Sequence, residues 1–189
     1  MPAEPRPIPP RPIPAGWSRA QRRLHWGMAV LVLLAAALGL YMVGLTLRQI
    51  LQKVILYQVH KSIGLTVLGM ALLQLLLHHR RGAPQEPGLP PWQRAAARAV
   101  KAALFLLLLA TPLLGYLLAA TSPLPVPTLY LGLIPVPHLV GADPLWFSRL
   151  QGLHKAAAWA MLALAAGHAM AALHHHRAGR AVLRRMWRG

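Results

Sequence analysis

The chain has 189 residues, 56% of them hydrophobic and only 12% charged, about half the charged share of a soluble domain, which argues against a water-soluble globule. A net charge of +17 would suggest nucleic acid on a soluble protein, but the basic residues collect between apolar runs and read as membrane flanks, so no nucleic-acid partner is expected. The lack of cysteine excludes disulfides, iron–sulfur ligation, thiol chemistry and a Cys-x-x-Cys-His site for covalent heme.

The N-terminal stretch MPAEPRPIPPRPIPAG has seven prolines in its first fourteen residues. Proline removes backbone donors and fixes φ, so residues 1–17 are predicted to be a disordered or polyproline-like extension. Either a docking tail or a plain solvated extension fits that composition. From Met28 to Leu47 there are twenty residues without a charge. That exceeds the ~7–15 residues of a secretory signal core and is enough to cross a ~30 Å hydrocarbon layer as a helix.

Residues 18–189 are predicted to form an all-α integral membrane four-helix bundle. Its spans run over about 23–46, 54–77, 100–120 and 150–173, each near the ~20 residues a spanning helix needs. Pro112 falls inside the third span, where neighbouring helices can tolerate a local kink. The expected connections are a short loop (Leu47–Lys53), a polar Pro/Gly loop (His78–Pro91) and a Pro-rich loop (Thr121–Ser148). The basic tail from Arg177 can lie on the surface through Val182, Leu183, Met186 and Trp187.

Basic residues set the orientation. Arg6, Arg11, Arg19, Arg22 and Arg23 precede the first span. Arg80, Arg81, Arg94, Arg98 and Lys101 surround the second loop. Arg177, Arg180, Arg184, Arg185 and Arg188 follow the fourth span. Only Arg48, Lys53, Lys61, Arg149 and Lys155 fall on the other side, fifteen against five. The positive-inside rule therefore puts both termini in the cytoplasm. Trp17, Trp26, Trp92, Trp146 and Trp187 lie near predicted helix ends, as interfacial tryptophans do.

With that orientation each histidine acquires a depth. His25 opens the first span on the inner side, and His60 lies near the outer end of the second. His154 lies near the outer end of the fourth, and His168 follows fourteen residues later. At ~1.5 Å per residue that is ~21 Å, and fourteen steps of ~100° bring both imidazoles to one face of the helix. Two pairs are expected, His25 with His168 and His60 with His154.

Ionisable groups inside spans are costly and mark function. Two imidazoles without carboxylate or thiolate suit structural zinc poorly, since zinc takes four protein ligands. They suit an iron already held by four porphyrin nitrogens, which they complete to six-coordination. Two such hemes at two depths make an electron route across the membrane. Gly64, one turn after His60, and Gly27, Gly167, Ala158, Ala165 and Ala171 would let a flat macrocycle approach, although ordinary helix packing also uses small residues. His78, His79, His174, His175 and His176 read as cytoplasmic flanks, and His138 lies in the outer loop without an obvious second ligand. Lys61, Lys155 and Arg149 are candidate propionate or anion contacts on the outer side, where long lysines could equally snorkel to the interface; Arg22 and Arg23 are the inner candidates. The five outer cations less Asp143 leave that face at +4, a field that attracts anions.

The stretches RRLHWGMA, HKSIG, TPLLGYLL and LHKAAAWAMLALAAGHAMAALHHH, with the outer loop LGLIPVPHLVG and the tail VLRRMW, resemble the bacterial cytochrome b561 family, four-helix cytochromes grouped with the b-type subunits of nickel hydrogenases. The resemblance spans roughly residues 18–187. It implies two non-covalent heme b groups, with His25, His60, His154 and His168 as axial ligands, and electron exchange with a quinone in the bacterial inner membrane. Some relatives are superoxide oxidases that reduce ubiquinone, so superoxide, ubiquinone or a redox partner protein are the implied partners beside membrane lipid. Many relatives carry a histidine where this chain has Lys101, a position outside the ligand scheme. Two other roles stand beside transmembrane electron transfer: an anchor cytochrome relaying electrons between quinone and a partner dehydrogenase or hydrogenase, and a histidine-based metal-ion transporter. The scarcity of Asp and Glu speaks against the transporter.

Overall fold

The computed structural model describes residues 16–82, 89–124, 126–180 and 182–187. Most of the Pro-rich extension, with Arg6 and Arg11, and Arg188 of the tail lie outside the described residues. Helix α1 (Arg19–Val43) starts at a capping box. The Ser18 hydroxyl accepts from the Gln21 N–H at 3.3 Å, and the Gln21 side-chain oxygen accepts from the Ser18 N–H at 3.1 Å, which satisfies donors a helix start leaves open. Helix α2 (Ile50–Arg81) ends on His78, His79, Arg80 and Arg81, whose arginine cations suit the negative pole of the helix. Gly82 closes it at φ 73°. Helix α3 (Pro91–Ala120) begins with proline in the first turn, where the missing N–H costs nothing, and continues through Pro112.

Two short strands follow, β1 (Thr128–Tyr130) and β2 (Ile134–Val136), paired antiparallel with Thr128 opposite Val136. Leu131 and Gly132 turn the hairpin at φ 54° and 73°, the left-handed pair a tight two-strand turn requires. Helix α4 (Pro144–Arg177) is capped by Asp143, whose carboxylate accepts from the Leu145 and Trp146 N–H groups at 2.9 and 3.0 Å. Its last turn holds His174, His175, His176 and Arg177, again at the negative pole. A final short helix, α5 (Val182–Trp187), folds back onto α1. The Trp26 indole N–H donates to the Met186 carbonyl at 3.1 Å, and the Trp26 and Trp187 rings meet edge-on at 5.4 Å.

Four helices are long and apolar enough to cross a membrane. They extend past the expected spans at most ends, because hydropathy marks the lipid-facing part while polar capping turns carry the helix further. Two connections also differ from expectation. The segment expected as loop Leu47–Lys53 is a 3-10 turn (Leu47–Gln49) running into α2. The long Pro-rich loop contains the hairpin and the first turn of α4.

α1 packs on α2, α2 on α3 and α3 on α4. The core is a layer of Val32, Val67 and Met161 with Leu31, Ile63, Leu107, Leu108 and Leu162 around it. That layer draws on all four helices. Large apolar side chains such as Leu33, Leu34, Leu40, Leu72 and Leu106 stay exposed, as lipid-facing positions do. Among the described residues α4 makes no comparable backbone approach to α1 or α2, and a cleft lined by residues of all four helices opens around His60 and His154.

The hairpin is fixed to the bundle by polar clamps. The Gln58 amide donates to the Pro127 carbonyl at 2.6 Å and accepts from the Leu129 N–H at 3.1 Å. The Ser62 hydroxyl accepts from the Leu131 N–H at 2.9 Å, and the Thr66 and Tyr130 hydroxyls lie 3.1 Å apart. These partners lie eight or more residues into α2, so the hairpin reaches alongside the helix to the level of His60. Backbone at that depth is tolerated only where its polar groups are satisfied. A Gln58→Ala protein loses two of these bonds, worth roughly 0.5–1.5 kcal/mol each. Amide exchange at Leu129 should speed up by roughly ten- to a hundredfold, with the helical amides unchanged, in hydrogen-exchange mass spectrometry.

Candidate heme site between the helices

Both couples of singled-out histidines bring a ring of α4 against one from α1 or α2. His60 on α2 faces His154 on α4 with ring centroids 6.2 Å apart and planes at 78°. His25 on α1 faces His168 on α4 at 6.3 Å and 68°. A first-row metal sits ~2.0–2.1 Å from an imidazole nitrogen, with the ring centre roughly 1.1 Å behind it, so two imidazoles on opposite sides of one ion have centroids roughly 6.3 Å apart. Both pairs have that separation. Among the described residues no three His, Cys, Asp or Glu side chains gather into a metal site. Each level instead offers two nitrogen ligands, the donor set that completes a porphyrin iron.

The pair beside the hairpin is fixed in orientation. His60 Nδ1 lies 3.0 Å from the Ala35 carbonyl of α1, and His154 Nδ1 lies 3.0 Å from the Thr111 carbonyl of α3. A carbonyl accepts only, so Nδ1 carries the proton in each ring and Nε2 is the free nitrogen. Each accepting carbonyl sits four residues before a glycine. A Cβ on Gly39 would come 3.4 Å from His60 Cε1, and one on Gly115 would come 3.0 Å from His154 Cε1. The two glycines make the room in which the imidazoles reach those carbonyls. Neither carbonyl nor glycine was foreseen from the sequence, although Gly115 lies in the quoted TPLLGYLL stretch.

Around this pair an apolar cleft is lined from all four helices. Val32, Ala35, Ala36, Leu108, Ala158 and Leu162 are among its walls. The Thr111 hydroxyl is buried there without a hydrogen-bond partner. Gly64 also lines the cleft, 3.8 Å from Pro112 Cβ measured from a built Cβ. Gly27 instead packs α1 against Met70 of α2.

The cationic candidates are placed unequally. Lys61 is half-buried and lines the cleft. Lys155 is exposed, and Arg149 lies over the Trp146 ring at 5.6 Å. At the other end Arg22 is half-buried and Arg23 exposed, within one turn of His25. His25 itself meets the Trp26 ring edge-on at 5.3 Å, and Trp26 in turn contacts Met186 and Trp187 of α5. The terminal histidines serve the end of α4: Arg180 bridges His175 and Gln93 at 3.0 and 3.3 Å. His138, in the segment after β2, accepts or donates at 2.9 Å to the Thr128 hydroxyl.

The sequence matches the family model described as prokaryotic cytochrome b561 over residues 16–189. The chain belongs to that family. It is also 31% identical over 161 residues to cytochrome b561 homolog 2 of Escherichia coli (strain K12), an alignment covering 80% of each chain. Membership makes this cytochrome b561 homologue a multi-pass membrane protein and implies b-type heme and electron transfer. The two imidazole couples, and the apolar cleft around His60 and His154, fit that cofactor.

Proposed function

We propose that this cytochrome b561 relative is a diheme electron carrier of the bacterial inner membrane, with both termini in the cytoplasm and the hairpin on the outer side. His60 and His154 would hold the outer heme, and His25 and His168 the inner one. The observation that carries the reading is the pair of imidazole couples, each at metal-bridging separation, on residues of α4 fourteen apart, hence ~21 Å along its axis. The orientation rests on the fifteen-to-five distribution of basic residues.

Bound heme supplies the one-electron chemistry, cycling its iron between ferric and ferrous. The chain's own residues do the rest. Nδ1–H donation to Ala35 and Thr111 fixes each outer ring and raises its basicity as a ligand. The apolar walls keep water from the cleft, and Gly64 allows close approach of a flat ring. Lys61 stands at the cleft, with Lys155 and Arg149 outside it contributing to a positive outer face. Arg22 and Arg23 take the corresponding place at the inner end.

Quinone is the proposed exchange partner, with ubiquinone as acceptor. Superoxide is the proposed donor, drawn by the positive outer face. Two superoxide anions losing one electron each give two dioxygen molecules, and those electrons with two protons reduce one ubiquinone to ubiquinol. Purified protein in detergent is expected to show a Soret band, sharp reduced α and β bands, and two hemes per chain. Superoxide-dependent ubiquinone reduction by that protein alone tests the donor and acceptor. Heme without this activity would move the reading to a relay between quinone and a partner protein, and a colourless protein would end it.

A further inference from the structure

We propose that Lys61 and Thr128, with His138 positioning Thr128, form a carboxylate site that takes a propionate of the heme held between His60 and His154. This rests on the diheme reading above. Lys61 follows His60 directly and lines the same cleft as His60, His154 and Thr128. Thr128 is only 3% exposed, and its hydroxyl is tied to His138 Nε2 at 2.9 Å. The hairpin carrying both is held in place independently. Gln58 and Ser62 clamp β1 and its turn. On the other side the Tyr116 hydroxyl donates to the Pro137 carbonyl at 2.7 Å and accepts from the Leu139 N–H at 3.0 Å. Thr128 therefore stands at a fixed position on the cleft, with His138 hydrogen-bonded to it.

Among the described residues no carboxylate answers the charge at this spot. A half-buried ammonium beside apolar walls is costly unless paired. The sequence has three acidic residues, and Asp143 is the one carboxylate side chain among the described residues, committed to capping α4. The Lys61 cation is felt at His138, which partial burial and that neighbouring charge together hold below the ordinary imidazole value. His138 is thus neutral at physiological pH and serves as a hydrogen-bond partner rather than a second cation. The remaining demand is for an anion of carboxylate type, entering with whatever fills the cleft. A heme propionate meets it; a small anion from the outer solution shares the chemistry.

The test compares the parent holoprotein with Lys61→Gln, Lys61→Arg and Thr128→Val by redox titration, resonance Raman of the propionate bending band and heme content. Lys61→Gln should keep two hemes, lower the potential of one of them and shift its propionate band. Lys61→Arg should restore both, and Thr128→Val should shift the band with a smaller change in potential. If Lys61→Gln sheds the outer heme while Lys61→Arg keeps it, the charge contact is supported; if both shed it, the lysine only packs and the site is refuted. Unchanged band and potential in Lys61→Gln with both hemes bound also refute it, and leave the diheme reading intact. A parent potential that follows added chloride would assign the site to a free anion and overturn the propionate. A parent protein without heme would instead remove the diheme reading itself.

Discussion

A His154→Ala protein is expected to bind one heme per chain where the parent, on the diheme reading, binds two. On that reading His154 would supply one of the two nitrogens beside the hairpin, its ring 6.2 Å from that of His60. Its removal would take away one of the two residues that would hold the heme, in a cleft whose other walls are mainly apolar, so a non-covalent cofactor would be left with packing and His60 alone. The second couple is ~21 Å away along α4 and shares no residue with the first. Sites that far apart without common partners behave additively. His60→Ala should therefore give the same spectrum as His154→Ala, whereas His25→Ala and His168→Ala should remove the other heme. The double change His154→Ala/His168→Ala should leave none. Heme per chain and the reduced-minus-oxidised spectrum measure all of these. A folded His154→Ala protein that keeps two hemes with six-coordinate spectra would refute the ligand assignment, as would one that loses both.

The four spans and the histidine pairs were legible because both are long-range regularities. Hydropathy integrates over some twenty residues, and the spacing of His154 and His168 is a phase relation on one helix. What escaped was short or written in the backbone. The β1–β2 hairpin has two strands of three residues, below any alternation signal, and Pro135 within β2 reads as loop. The carbonyls of Ala35 and Thr111 have no sequence signature, since every residue owns one. The lysines are a sharper case. Lys61 and Lys155 both follow a paired histidine, yet Lys61 lines the cleft and Lys155 is exposed. One step is ~100° around a helix. On α2 that step leads toward the hairpin, where Lys61 is felt by His138, and on α4 it leads out of the bundle. Adjacency gave the depth of each lysine but not its direction.

Gly115 should be the most sensitive position without a ligand of its own. A Cβ there would stand 3.0 Å from His154 Cε1 and 3.3 Å from Nδ1. Alanine requires the ring to give by a few tenths of an ångström, and the bond it must give in is the one to the Thr111 carbonyl. If His154 holds a heme, that bond would make its imidazole a stronger donor to the iron and so favour the ferric state. Gly115→Ala should keep both hemes and raise the potential of the one beside His154. Valine adds branched carbons that no such shift absorbs. Overpacking of this kind costs roughly 1–3 kcal/mol, a weakening of heme retention by about five- to a hundredfold, so Gly115→Val should approach the His154→Ala spectrum. Gly39→Ala meets His60 Cε1 at 3.4 Å, ordinary contact, and should change the potential less than Gly115→Ala. Gly69, whose added Cβ meets nothing within 4 Å, supplies the control: Gly69→Ala should match the parent in heme content and both potentials. Equal effects at Gly69 and Gly115 would mean that the loss of glycine flexibility, and not room for the imidazole, decides the outcome.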